Sequence, residues 1–505
     1  MASILQSMTR YAQLPVKYFS LYLGNPQPRG LAALPLELLT EIMKELEWRD
    51  ILYVRQTCRR LSDASKARPV WLNLFKTYSE HLLFPLQLEG PLENYSASQL
   101  EDMILRWKRA ERSYAMDSEI VDGREIEIAL DEDQHVNIMH LVKGGRWLLL
   151  VLSNGSIRYC DLECEDVVSH PLVPHPFNND ETEAIVRFSI DMLSTPTLTF
   201  NIAIAFRDVI SDEAINFLQV WQVSVVLDGQ GRGMELQSCL LSFFVQSSGG
   251  QVPSLSISGQ RLAYSFVTLD RRLPCYVFVV HWPSVDSLTT PFPQRMFTVP
   301  VGMGEVCLLP DHKLLLASSQ YFHLLDWMSV DESTTPLSST MAPADFLWSH
   351  RVGYWNCILG DAFACVNSTR FVFECDGIIR GLVIEHPSPN CGHVNEPYFV
   401  KLMEYPETWD KVRKPCRVLG YNHAFGLGGD RGLTILRYSW PGEPRPDFPS
   451  VSLPAVFVKM FDSYSWDGAG PCIDLGTGRV VALATFRNRL LFFDIPSTKQ
   501  HVQLP

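Results

Sequence analysis

Residues 146–162 read Arg146-Trp147-Leu148-Leu149-Leu150-Val151-Leu152, Ser153-Asn154-Gly155, then Ser156-Ile157-Arg158-Tyr159-Cys160-Asp161-Leu162. Two apolar runs flank an Asn-Gly pair, which suits the tight turn whose central positions need positive φ. The pattern predicts a β-hairpin. Paired runs of the same kind recur at 198–206 with 217–225, 261–267 with 275–282, 313–317 with 321–327, 370–375 with 380–385, 423–427 with 433–438 and 480–485 with 489–495. From Asp161 to Asp494 the second runs end at a mean spacing of about 55 residues, the scale of a propeller or solenoid. A pair of β-sandwiches requires no such regularity. Arg124-Glu125-Ile126-Glu127-Ile128-Ala129-Leu130 alternates like a strand ahead of the first hairpin. It could supply the missing outer strand of the last unit and so join the two ends of a ring, leaving no bare edge.

Several second strands end in Val220-Trp221, Leu325-Asp326-Trp327 or Phe493-Asp494. In these endings the repeat resembles a degenerate WD-repeat β-propeller. The seven paired runs then read as seven blades over residues 120–505. Two features depart from that family: the period exceeds its usual ~40–45 residues, so loops carry insertions, and the Gly-His signature is largely missing.

Residues 31–80 have a different period. Leu38, Leu39, Ile42, Met43 and Leu46 recur at helical spacing behind Pro35, which fits a first helical turn. Asp50 is placed as N-cap of a second helix carrying Leu52, Val54, Cys58 and Leu61. A third begins at Pro69 and carries Trp71, Leu74, Phe75 and Tyr78. Three short helices bury little, and such modules usually rely on a partner.

Leu34-Pro35-Leu36-Glu37-Leu38-Leu39-Thr40-Glu41-Ile42, residues 50–61 and Val70-Trp71-Leu72-Asn73-Leu74-Phe75 resemble, in order and spacing, the opening, middle and end of an F-box. The resemblance implies docking to the Skp adaptor of an SCF (cullin-RING) ubiquitin ligase. It assigns Leu34, Pro35, Leu38, Leu39, Ile42, Leu46, Leu52, Val54, Cys58, Leu61, Trp71 and Leu74 to that contact. The plainer alternative is a helical hairpin packed within the chain.

Residues 81–116 read as a helical linker, with a helix from Ser98 to Tyr114. Arg106, Lys108, Arg109 and Arg112 lie along it, but Glu101, Asp102 and Glu111 interleave, so a solvated face is expected. Residues 1–30 form an N-terminal extension.

Charge divides the chain at the same place. Residues 1–116 carry 15 Lys/Arg against 12 Asp/Glu, while the remainder carries 28 against 44. A net charge of −13 argues against a phosphate-gripping surface, so no nucleic acid is expected. No apolar run approaches the ~20 residues of a membrane helix, so no membrane partner is expected. The early Arg10 and Lys17 break up any secretory core. Twelve cysteines form no dense framework, and free thiols in a reducing compartment, cytoplasmic or nuclear, are expected. The close pair Cys160 and Cys164 has no histidine at zinc spacing. Cys391-Gly392-His393 with His386 lacks an evident fourth ligand. No metal or other cofactor is expected.

Catalytic motifs are likewise missing. Gly426-Leu427-Gly428-Gly429-Asp430-Arg431-Gly432 does not fit a dinucleotide loop and is explained by a hairpin turn. No G-x-S-x-G elbow or H-E-x-x-H helix occurs.

The whole reads as a multi-domain chain: a small three-helix F-box, a helical linker and a seven-bladed β-propeller. In that arrangement it resembles fungal F-box substrate receptors. The resemblance implies a non-catalytic subunit that reaches cullin through the adaptor and holds a target protein on the propeller. A propeller scaffold serving a complex outside the ligase remains the alternative. Arg271, Arg272, Arg431 and Arg487 fall at hairpin tips and could grip an acidic or phosphorylated target. The plainer reading, that these tips simply face water, is preferred.

Overall fold

The computed structural model describes residues 31–81, 87–113, 124–127, 135–174, 185–208, 215–229, 231–246, 250–268, 275–285, 292–299, 303–318, 320–334, 344–352, 357–387, 395–404, 418–427, 432–441, 456–459, 471–474, 476–484 and 489–494. The chain divides into two compact units, one of residues 1–86 and 92–106, the other of residues 87–91 and 107–505.

The first unit is helical: α1 Leu36–Lys44, α2 Trp48–Arg55, α3 Arg59–Ser65, α4 Arg68–His81, and the start of α5 Ala97–Ser113. Pro35 is the N-cap of α1 rather than a residue of its first turn. Asp50 lies inside the first turn of α2, where its charge suits the helix dipole, and Glu47 holds the cap position. The expected second helix is two helices. Thr57 Oγ1 donates to the carbonyl of Val54 at 2.7 Å, and Cys58 adopts extended backbone with φ −159° as the N-cap of α3. A side chain that bonds back onto its own turn competes with helix continuation.

Trp71 anchors the core of this unit, donating Nε1–H to the carbonyl of Ser65 at 2.8 Å. Asn73 Nδ2 donates to the carbonyl of Lys44 at 3.0 Å and so caps the end of α1. Arg55 lies over Trp71 and makes a two-pronged pair with Glu101, Nη1 to Oε1 at 2.5 Å and Nη2 to Oε2 at 2.9 Å. Glu101, expected on a solvated face, is only 13% exposed because this pair takes it out of water.

The second unit is a β-propeller. Strand β1 is Arg124–Glu127. The first sheet is β2 Val136–Leu141, β3 Trp147–Leu152, β4 Ile157–Asp161 and β5 Ser169–Val173. The next is β6 Ile185–Met192, β7 Thr199–Asp208, β8 Ile215–Leu227 and β9 Gly233–Gln246. The third is β10 Gly250–Gln251, β11 Leu255–Ser258, β12 Arg261–Thr268, β13 Cys275–His281 and β14 Gln294–Val299. The fourth is β15 Met303–Leu308, β16 Lys313–Ser318, β17 Tyr321–Asp326 and β18 Trp348–Arg351. The fifth is β19 Ile358–Ala364, β20 Ser368–Cys375, β21 Ile378–Glu385 and β22 Tyr398–Glu404. The sixth is β23 Val418–Leu419, β24 His423–Leu427, β25 Gly432–Arg437 and β26 Val456–Lys459. Last come β27 Cys472–Asp474, β28 Arg479–Ala484 and β29 Arg489–Asp494.

Each expected hairpin forms the central pair of a sheet. The units are nevertheless not seven alike. Six sheets are built from consecutive strands and are blades in their own right, whereas the remaining sheet is composite, in the order β1-β29-β28-β27. Within it Ile126 pairs antiparallel with Leu490, 364 residues along, so β1 supplies the outer strand.

Alternation explains the packing. In β3 all six residues are buried, but Trp147, Leu149 and Val151 pack with Phe200, Ile202 and Ile204 of β7. Leu148, Leu150 and Leu152 pack with Val481, Leu483 and Leu490 of the composite sheet. In β16, Leu314 and Leu316 join Val277 and Phe297, while Leu315 joins Phe371 and Phe373. A strand sandwiched on both faces reads as a continuous apolar run, as Trp147–Leu152 does.

Candidate interaction sites

The residues assigned to adaptor docking do not share one surface. Leu39, Leu46, Val54, Leu61, Trp71 and Leu74 are buried and make the core of the helical unit. Leu34, Pro35, Ile42, Leu52 and Cys58 are half-buried, and Leu38 is exposed. Helical periodicity identifies an apolar face but cannot separate the part that closes the small core from the part left over. Among the described residues of the helical unit, the exposed large apolar side chains are Leu36 at 46%, Leu38 at 40% and Tyr53 at 46%; of these, Leu36 and Tyr53 were not singled out from the sequence.

The four tip arginines, Arg271, Arg272, Arg431 and Arg487, lie outside the described residues. So do Cys391 and His393; His386 Nε2 is 2.9 Å from Thr369 Oγ1. Among the described residues no three His, Cys, Asp or Glu side chains are grouped to hold a metal ion. Cys160 is buried, which pushes its thiol up to about 12, and Cys164 Sγ donates to Asp161 Oδ2 at 3.4 Å. No described helix is long and apolar enough to cross a membrane.

Polar chemistry collects at the open ends of the hairpins, opposite the tips. Where the second strand of a sheet begins and the third ends, a cation faces an acid in three sheets. Arg146 makes two bonds to Asp161 at 2.9 and 2.7 Å. Arg479 makes two to Asp494 at 2.7 and 3.1 Å. Lys313 donates to Asp326 at 2.9 Å. Forked Arg–carboxylate bonds of this type are the stronger ones.

The Arg146 pair is joined by a segment from far upstream. Glu89 accepts from Arg146 Nη1 at 2.7 Å, from Trp147 Nε1 at 2.8 Å and from the Gly233 N–H at 3.3 Å. Its own carbonyl accepts from the Leu198 N–H at 2.9 Å. The Arg146 guanidinium lies 4.4 Å from the centre of the Trp147 ring. Burial raises the Glu89 pKa and outweighs the Arg146 charge and the Trp147 hydrogen bond. Burial also opposes ionised Asp161, but there the hydrogen bonds from Arg146 prevail and the pKa falls. Glu89 was missed in the sequence because nothing local marks an acidic residue that will seat 57 positions downstream.

A second titratable group sits on the first strands of three sheets: His140 on β2, Glu305 on β15 and Asp361 on β19. Burial, with the Asp361 charge adding to it, pushes Glu305 up to about 7. Burial lowers His140, against the opposing pull of Asp361.

No protein-family model matches the chain, and no curated protein matches it. Solved structures do. The β-propeller domain of Cps50 (Swd1) from Myceliophthora thermophila aligns at 9% identity over 73% of this chain and 99% of its own, with a TM-score of 0.43. The WD40 domain of SCAP from fission yeast aligns at 10% identity over 72% and 85%, with a TM-score of 0.36. A prolyl endopeptidase aligns at 12% identity over 89% of this chain and 54% of its own, with a TM-score of 0.34. The sheet order given above, not these likenesses, carries the fold.

Proposed function

We propose that the chain is a substrate receptor of an SCF-type ubiquitin ligase, its helical unit docking a Skp-type adaptor and through it cullin, its propeller holding a target protein. The observation that carries this reading is the F-box-like series 34–42, 50–61 and 70–75 in order and spacing. Leu36, Leu38 and Tyr53 leave apolar surface exposed beside the core of a small unit, the kind of surface that marks a partner site. In this reading the composite sheet counts as a seventh blade, and the chain is a fungal-type receptor of the cytoplasm or nucleus that catalyses nothing itself. Proximity is its contribution: a tethered target meets the ubiquitin-carrying enzyme at high effective concentration.

The test is capture of a recombinant Skp adaptor by the full chain. Changing Leu36 and Leu38 together to Asp places two charges on exposed positions without touching the buried Leu39 and Met43. Adaptor capture should be lost while the propeller melts as before. Unchanged capture would sink the assignment. The coarser reading, a propeller scaffold in another complex, predicts adaptor capture without co-purifying cullin. The four tip arginines enter as the candidate grip for an acidic or phosphorylated target. Changing all four to Glu should leave the partners unaltered if those tips only face water.

A further inference from the structure

Six tryptophans are buried among the described residues, and five donate their indole N–H to an oxygen. Trp71 donates to Ser65, Trp147 to Glu89, Trp221 to Gln219, Trp282 to Gly259 and Trp440 to Tyr421, all at 2.8–3.0 Å. Trp327 differs. It is 4% exposed, and its Nε1 is buried with no acceptor. Two further donors without acceptors gather round it, Arg261 Nη1 and Arg295 Nε. Their guanidinium centres lie 5.1 and 5.8 Å from the ring. The carboxylate of Glu332 stands 3.6 Å from Arg261 and 3.8 Å from Arg295, close enough for attraction but too far for a hydrogen bond.

Buried donors nearly always have partners, so three without one at a single indole call for an explanation. The same propeller contains the filled counterpart. At Trp147 an arginine lies over the ring, and the carboxylate of Glu89, carried on the segment 87–91, accepts from both indole and guanidinium. Arg261 and Trp327 stand at the corresponding open hairpin ends of the third and fourth sheets, and Arg295 is the second residue of the outer strand of the third.

We propose that the Trp327 site receives a carboxylate side chain from an extended acidic segment of a partner protein. The incoming carboxylate would accept from Trp327 Nε1, Arg261 Nη1 and Arg295 Nε. Glu332 is 42% exposed, pairs with both arginines only at long range, and is the group displaced. Two guanidiniums against one glutamate leave the site one positive charge in excess, which favours an anionic occupant. The proposal needs the propeller alone and not the adaptor reading, so the two fail separately.

The experiment is titration of the full chain with hexaglutamate, following the Trp327 indole N–H resonance, assigned by its loss in Trp327→Phe. Inorganic phosphate and hexaglutamine are the comparison probes. Hexaglutamate should move the resonance saturably and hexaglutamine should not. Glu332→Gln, at an exposed position, should tighten binding several-fold by removing the internal competitor, and Arg295→Gln should weaken it about tenfold. No shift with hexaglutamate, equal affinity in Glu332→Gln and wild type, or a shift with phosphate alone would each overturn the proposal. Because Glu332→Gln leaves both arginines in place, it keeps the test decisive if Arg295→Gln fails to fold.

Discussion

Arg479 Nη1 donates to the carbonyl of Gly145 at 2.8 Å, although the two are separated by 334 residues. The same guanidinium holds Asp494, so one side chain ties the last hairpin to the turn that opens the first. Arg479→Leu would leave a buried carbonyl and a carboxylate without their partner. Asp494 is half-exposed and can rehydrate, so the expected loss is about 2 kcal/mol rather than that of a fully buried pair. Urea unfolding of the two proteins checks it.

Strand β1 completes the composite sheet from the other side. Ile126 packs with Val481, Leu483 and Leu490. Ile126→Asp would set a charge against that apolar cluster, and a loss of about 2 kcal/mol or more is expected. It should also raise the tendency to aggregate, because a displaced β1 bares the β29 edge. Light scattering during a thermal ramp reads both effects, and wild-type behaviour would count against closure through β1.

Gly381 lets Trp440 approach the backbone. A Cβ at that position would overlap the indole ring. Gly381→Ala should therefore cost about 1–3 kcal/mol by forcing the ring aside. A changed near-ultraviolet circular dichroism band with an unchanged far-ultraviolet spectrum would locate the effect in packing rather than in the strands.

Glu305 makes stability depend on pH. Burial and the neighbouring Asp361 charge push its folded-state pKa up to about 7 from an ordinary 4.5. Between those values the folded chain holds a proton that the unfolded chain has released. Its contribution is therefore fully present below about 4.5 and is lost as pH rises towards 7. Glu305→Gln should flatten that decline, gaining on wild type at pH 8 relative to pH 4.5. Urea midpoints at the two pH values measure it, and a parallel pair of curves would contradict it.

In the helical unit, Arg55 joins Glu101, Ser65 and the Trp71 ring. Removing it leaves Glu101 partly buried without its countercharge. Arg55→Met should destabilise the unit by about 2–3 kcal/mol. Hydrogen exchange should quicken across Leu36–His81 while the amides of β3 and β16 stay protected.

The hairpins were legible because their signal is local. A run such as Trp147–Leu152 followed by Asn154-Gly155 encodes strand, turn and strand within a few residues, and period two assigns each side chain to a face. The alternating strand ahead of the first hairpin was legible for the same reason. Less could be read from the helical residues. The apolar spacing of 38–46 marks a face, but whether Leu38 or Leu39 is covered depends on what α4 and α3 place against it. The break at residues 56–58 is not legible in the apolar spacing, because it is made by polar bonds: the backbone N–H groups of Gln56 and Thr57 and the Thr57 hydroxyl turn back onto Tyr53 and Val54.

A helical N-terminal part, a repeating set of hairpins and a change of charge between them are written in the order of residues, because propensity, periodicity and net charge are properties of neighbouring residues. Only the tertiary structure decided that Glu89 seats on Arg146 and Trp147, that Arg479 reaches Gly145, and that Trp327 keeps an indole N–H without an acceptor. Each of those outcomes depends on which distant groups meet once water is excluded. A donor's partner is set by that meeting, and no run of adjacent residues specifies it.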